Sequence, residues 1–227
     1  MRGILLDMIN SKYQSLLTDD QEIKKVVQEI LEKGFVALDD FLDEPSKAAF
    51  HATAADRSNG WKKGDELKGT PVYELGHSDE FMLLSQRLYD ARCEITGEPK
   101  VTLLKEKQVV GLPYKNAADG DNNYETSYHF DGAYVNYLLP LILPEDQSDG
   151  SGNLVVFANL RLKYPALVSK IIARMLRHSA LFRRLYGETE ITYTVDTMFI
   201  VFADLSFHGV NPISNGERMV VTINSHW

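Results

Sequence analysis

The chain has 227 residues, 44% of them hydrophobic, and a net charge of −8. That is enough apolar material for one buried core and too much for a disordered chain, while the acidic balance argues against a broad nucleic-acid surface, which would need a basic field. The single cysteine, Cys93, excludes an internal disulfide framework and fits a reducing compartment; no apolar run reaches the length of a membrane span, so the expectation is a soluble, cytoplasmic protein with no nucleic-acid and no membrane partner.

Helices come first. The opening "MRGILLDMINSKYQSLL" holds a short apolar patch interrupted by Asp7, with no small-residue cleavage site after it, and reads as a helix rather than a signal peptide. "TDDQEIKKVVQEILEKG" has Thr18 or an adjacent Asp as a cap, apolar residues at helical spacing and Gly34 as a stop. "FVALDDFL" reads as a strand, "DEPSKAAFHATAADR" as a helix with Pro45 in its first turn, and "SDEFMLLSQRLYDARCEITG" as a third helix opened by Ser78 and closed by Gly97.

From about residue 101 the texture becomes β-rich. "VTLLKEKQVVGLPY" reads as strand, "KNAADGDNNYET" as a polar loop, and "AYVNYLLPLILP" and "NLVVFANL" as strands joined by a turn in "EDQSDGSG". "EITYTVDTMFIVFAD" and "RMVVTINSHW" are again β-rich. One helix interrupts them: "YPALVSKIIARMLRHSALFRRLYG" opens with Pro165 and ends at Gly187, with apolar residues at 164, 167, 168, 171, 172, 175 and 176 that give it a face to pack. This ordering predicts an α+β chain in one domain over 1–227. Residues 1–100 are mainly helical support; 101–227 form an antiparallel barrel or jelly roll with a helical insertion at about 164–186.

Three features of the second half belong together. His129 and Asp131 are two apart in "SYHFDGAYVNYL", so they share one face of a strand. His208 follows the apolar strand "TMFIVFADLSF" near its expected end, and Arg218 lies ten positions further on. Two histidines and a carboxylate on one face of an iron leave positions open, the arrangement of non-haem Fe(II) oxygenases, and a nearby guanidinium can grip a carboxylate through two parallel hydrogen bonds. Together these are what a 2-oxo acid cosubstrate requires. His129 and Asp131 alone would more often be a hydrogen-bonded pair at a barrel rim; His208 and Arg218 tip the balance toward a metal.

"YHFDGAY" followed by "FHGVNPISNGERMVVT" resembles the H-x-D…H…R signature of the Fe(II)/2-oxoglutarate-dependent dioxygenases. "EILEKGFVALDDFLDEPSKAA" resembles the helix–strand–helix opening of their phytanoyl-CoA-hydroxylase-like branch, and "VDTMFIVFADLSFHGVNP" the strand before the distal histidine. The resemblance implies a double-stranded β-helix (a jelly-roll or cupin-like barrel) with the N-terminal helices packed on it. It implies His129, Asp131 and His208 as Fe(II) ligands, Arg218 on the far carboxylate of 2-oxoglutarate, and O2 at the remaining iron position. The implied reaction hydroxylates an unactivated C–H bond and releases succinate and CO2. Many relatives place Ser or Thr two residues after the arginine; here that residue is Val220. Thr222, the next polar residue on that face, and Tyr114, on the strand before the polar loop, are therefore the candidates for a second cosubstrate contact. Related halogenases lack the carboxylate; Asp131 is present, so halogenation is not expected.

A second H-x-D, His77 and Asp79 in "GHSDEF", falls at a helix start and reads as capping; His51, His178 and His226 are expected to be surface or structural. Residues 160–186 contain seven Lys or Arg and no acid. The stretch is either the wet face of an amphipathic helix or a lid whose Arg174, Arg177, Arg183 and Arg184 meet an anionic substrate or its carrier. The chain's size and lack of an added recognition domain point to a small, amino-acid-like metabolite, with a carrier-tethered one as the alternative. The rival functions are a cupin-like metal enzyme that does not use 2-oxoglutarate and a non-catalytic binding barrel.

Overall fold

The computed structural model describes residues 8–56, 62–119 and 128–227. Part of the expected N-terminal helix and most of the expected polar loop lie outside the described residues; Ser11–Leu17 form a 3₁₀ helix capped by Asn10. Asp19 accepts hydrogen bonds from the backbone N–H groups of Gln21 and Glu22 and opens α1 (Asp20–Lys33). Its buried Ile23, Val27 and Ile30 form one stripe. Gly34 closes it at φ 91°, where a Cβ would sit 2.9 Å from side-chain atoms of Val156 and Ala158. After β1 (Val36–Leu38) come α2 (Glu44–Ala55), capped by Asp43, and β2 (Lys62–Lys63). A short α3 (Pro71–Gly76) then leads to α4 (Asp79–Thr96), which runs from the Ser78 cap to Gly97.

The strand expected across 101–114 is shorter than that. Lys105–Lys107 form a 3₁₀ turn, and pairing is confined to β3 (Val109–Leu112) and β4 (Tyr114–Asn116). β5 (Val135–Ile142) and β6 (Leu154–Phe157) follow, but the turn between them carries the chain from one sheet to the other instead of closing a hairpin. The helical insertion is three helices, not one: α5 (Leu160–Lys163), α6 (Ala166–His178) and α7 (Ala180–Tyr186). Ser179 leaves helical geometry at φ −136° and its side chain accepts from the N–H of Phe182, so it ends one helix and caps the next. Then come β7 (Thr189–Ile191), β8 (Met198–Val201), β9 (Phe207–Val210) and β10 (Glu217–Ser225).

All strand pairing is antiparallel among the described strands. The large sheet runs β1-β8-β5-β10-β3-β2, with β4 also on β10; the small one runs β7-β6-β9. Side-chain alternation sorts the surfaces. Val135, Tyr137, Leu139 and Leu141 of β5 and Met219, Val221 and Ile223 of β10 point outward into a core shared with α1, α2 and α4. Leu138, Phe199, Val201 and Val220 point the other way and meet Leu154, Val156 and Ile191 of the small sheet. The two sheets therefore face one another across a common interior. The insertion lies behind the small sheet: Leu160, Ile172, Ala173 and Leu176 pack with Val155, Phe157 and Phe207. Each such buried large apolar side chain contributes about 1.5–3 kcal/mol. Of the face expected to pack, Ile172 and Leu176 are buried, whereas Leu167, Val168, Ile171 and Met175 are exposed.

Candidate active site

His129 stands on a two-residue bridge to β9, not in a long strand. Its N–H donates to the carbonyl of His208 and the N–H of His208 donates back, at 2.8 and 3.0 Å. This reciprocal pair sets the two imidazoles side by side, ring centroids 4.8 Å apart. Asp131 follows, its N–H on the carbonyl of Ala203. Nε2 of His129 lies 3.1 Å from one carboxylate oxygen of Asp131, and Nε2 of His208 lies 3.3 Å from the other. One ligand atom from each residue falls within 4.8 Å of the others, and this is the group with metal-ligating geometry among the described residues.

The donor set suits a divalent cation. His208 is buried, and its Nδ1 sits 3.0 Å from the carbonyl of Ser206. That contact assigns the proton to Nδ1 and turns the Nε2 lone pair toward the site, the way a second partner usually orients a metal-binding imidazole. Nε2 faces a carboxylate, so it needs either a second proton or a cation between them. Burial would raise the Asp131 carboxyl, but hydrogen bonds from His129 and His208 and their charge bring it well below the usual carboxylate range. Nδ2 of Asn136 adds a 3.3 Å contact to the same carboxylate.

The triad opens onto a cavity of about 260 Å³ between the sheets, lined also by Asn136, Leu138, Leu154, Tyr193, Val210, Arg218, Thr222 and Asn224. Arg218 is only 7% exposed, on β10. It fits because residue 152 is glycine: at φ 72°, a Cβ there would lie 3.3 Å from Cδ of Arg218 and 3.1 Å from Ile213. Thr222 Oγ1 is likewise accommodated by Gly111, where a Cβ would come within 2.7 Å. A buried cation and three converging metal-ligating groups lining one cavity can receive an anion that also binds metal.

Six positions were expected to bind metal or cosubstrate. The structure brings five of them, His129, Asp131, His208, Arg218 and Thr222, to this cavity, and places Tyr114 elsewhere. Tyr114 pairs with Met219, whose side chain points to the helical layer, and its hydroxyl donates to Glu217 at 2.8 Å. The alternation that aims Arg218 inward aims its neighbours outward. Three polar cavity residues escaped sequence reading, Asn136, Tyr193 and Asn224. Asn136 is a lone amide in an otherwise apolar strand, a detectable signal. Tyr193 was hidden because 190–204 reads as one β-rich run, whereas β7 and β8 belong to different sheets and Tyr193 lies in the crossing between them. Tyr193 is buried, with Arg218 beside its hydroxyl. Burial pushes its phenol up to about 12, tempered by the neighbouring Arg218 charge, so the hydroxyl stays a donor. The Arg218 guanidinium carbon is 5.8 Å from its ring centroid.

The second H-x-D behaves as a cap. Ser78 accepts from the N–H of Phe81, His77 stacks on Tyr73, and Asp79 pairs with Lys105. His51 pairs with Asp196. None of the four arginines expected of a lid lines the cavity. Arg177 instead donates twice to the carbonyl of Tyr128, and Arg183 sits over the Tyr128 ring while donating to the carbonyl of Leu176. Arg174 and Arg184 are exposed. The insertion thus braces the rear of the His129 segment.

No protein-family model and no curated protein sequence matches the chain. Solved structures do resemble it. A prolyl 4-hydroxylase from Phytophthora capsici superposes with a TM-score of 0.59 at 17% identity, over 99% of this chain and 68% of that one. The non-haem α-ketoglutarate-dependent epimerase SnoN of nogalamycin biosynthesis gives 0.62 at 14%, over 92% and 84%. A Pseudomonas putida prolyl-4-hydroxylase gives 0.53 at 13%, over 90% and 93%. The chain shares the fold of these enzymes.

Proposed function

We propose that the protein is an Fe(II)/2-oxoglutarate-dependent oxygenase that hydroxylates a small, amino-acid-like metabolite. The observation that carries the reading is a single cavity holding both a His-Asp-His cluster and a buried arginine. His129, Asp131 and His208 would hold Fe(II). Bound Fe(II), with 2-oxoglutarate and O2, supplies the oxidation that places one oxygen atom on the substrate and the other in succinate as CO2 leaves. The protein's part is to hold and to exclude water. Arg218 binds the distal carboxylate, Asn136 fixes the Asp131 carboxylate, and Leu138, Leu154 and Val210 keep the cavity walls apolar. Arg218 separates this reading from a cupin-like enzyme without 2-oxoglutarate. The α1–β1–α2 opening supports a place in the phytanoyl-CoA-hydroxylase-like branch.

Tyr193 takes the part that Thr222 and Tyr114 were expected to share. Its buried, protonated hydroxyl beside Arg218 can donate a second hydrogen bond to the carboxylate. Tyr193→Phe should weaken 2-oxoglutarate binding by about 1.5–3 kcal/mol, the worth of a hydrogen bond to a charged group. It should leave a keto acid lacking the distal carboxylate, 2-oxobutyrate, unaffected. Equal losses for both keto acids would assign Tyr193 to packing alone.

The function is tested by measuring succinate formed from 2-oxoglutarate by the iron-loaded protein, against a panel of free amino acids, prolyl peptides and carrier-linked acyl groups. Stimulation by a free amino acid is expected. Stimulation only by peptides or carrier-linked compounds would replace the substrate class, and no succinate with any compound would remove the oxygenase reading.

A further inference from the structure

Of the twelve large apolar side chains exposed among the described residues, seven lie between Leu162 and Leu185, in the helical insertion. Leu167, Ile171 and Met175 recur at every fourth position of α6 and form one stripe, flanked by Val168; Leu181 and Leu185, also four apart, are exposed on α7. Leu167, Leu181 and Leu185 are 72%, 69% and 75% exposed. Only part of the apolar arc of α6 packs on the small sheet. Ile172, Ala173 and Leu176 are covered, and the neighbouring part of the arc is left bare.

The polar part of this face has one sign. Residues 160–186 hold seven Lys or Arg and no Asp or Glu, on a chain whose net charge is −8. Every exposed side chain described between 161 and 185 is aliphatic, methionine, proline or a base. The hydroxyls of this face, on Tyr164, Ser179 and Tyr186, are half-buried, and the nearest carboxylate, Glu188, pairs with Arg183 at 3.5 Å; none of Leu167, Ile171, Met175, Leu181 and Leu185 lines a described cavity. It is a crest with a cationic rim.

We propose that the exposed face of α6 and α7 docks on an anionic lipid surface. A helix lying in a bilayer interface needs this combination: aliphatic side chains to enter the headgroup boundary, and bases beside them to meet lipid phosphates. Self-association is disfavoured by charge, because a symmetric contact would set the cationic rim against its own copy. Nucleic acid would leave the aliphatic stripe unused. No described helix is long and apolar enough to cross a membrane, and a helix that lies on one does not need to be. The sequence-based expectation of no membrane partner rested on the missing span, which does not bear on this mode.

The test is sedimentation of the full chain with vesicles of phosphatidylcholine mixed with phosphatidylglycerol, against phosphatidylcholine alone, at low and high salt. Binding to the mixed vesicles only, weakened by salt, is expected. Ile171→Glu with Leu185→Glu, and separately Lys170→Gln with Arg174→Gln and Arg184→Gln, should each weaken it about tenfold or more. Unchanged melting temperatures would show that the variants fold. Three results would overturn the proposal: no binding to mixed vesicles at low salt, binding that survives both sets of substitutions, or a wild-type dimer in sedimentation velocity that Ile171→Glu dissociates.

Discussion

Replacing Arg92 by methionine is expected to destabilise the protein by about 3–5 kcal/mol, the cost of leaving a buried charge without its partner. Arg92 is 1% exposed on α4. Its two terminal nitrogens bind the two carboxylate oxygens of Asp204 at 2.7 and 2.8 Å, its Nε binds Glu98 at 3.0 Å, and the carbonyl of Tyr134 accepts from it at 3.3 Å. Methionine fills similar volume among Tyr89, Tyr134 and Phe202 but strands Asp204. Burial already pushes the Asp204 carboxyl up, and Arg92 pulls it only part of the way back. Without Arg92 the folded-state value rises further above the unfolded one. A carboxyl raised on folding favours the folded state while protonated and disfavours it once pH climbs past the unfolded value. The variant's deficit should therefore shrink as pH falls toward the carboxylate range, and denaturant titrations at neutral and acidic pH measure it. A deficit independent of pH would mean that Asp204 is not the stranded charge. The site should feel the change too, because Arg92 holds Tyr134 and Asp204, which flank the Asp131–Ala203 hydrogen bond.

Arg218→Ala should weaken 2-oxoglutarate binding by about 2–5 kcal/mol, the range for truncating one partner of a desolvated charge pair. Lysine at this position keeps the charge but loses the planar fork and should not restore the affinity. Because Arg218 is not one of the metal-ligating groups, metal uptake should be unchanged in both variants. Calorimetric titrations of the cosubstrate and of the metal separate the two effects. Full affinity in Arg218→Ala would favour the cupin-like alternative.

Much of this site could be read from the sequence because its chemistry is local. The two-residue spacing of His129 and Asp131 was legible although only an isolated bridge forms at His129 and Asp131 lies outside any strand, and the position of His208 and Arg218 on consecutive strands needs only their spacing. The helices α1, α2 and α4 were equally legible, since Asp19, Asp43, Ser78, Gly34 and Gly97 mark their ends with local hydrogen bonds and left-handed backbone. What failed depended on partners distant in sequence. Tyr114 was chosen for its place before a loop, but its direction is set by pairing with β10. Tyr193 became visible only once β7 and β8 were seen to part into two sheets. The insertion reads as one amphipathic helix because its apolar spacing continues through Ser179, where a side-chain cap competes with the helix. How much of its apolar face is covered depends on packing against the small sheet, which no local pattern records. The decoy at His77 was resolved locally, by the cap at Ser78.

The most direct test of the central claim is an anaerobic calorimetric titration of 2-oxoglutarate into the protein with and without Fe(II). If His129, Asp131 and His208 hold the metal and Arg218 the distal carboxylate of the same ligand, binding should be strongly metal-dependent. It should fall to the metal-free level in His208→Ala. Binding of equal strength with and without Fe(II), or unchanged in His208→Ala, would contradict the account.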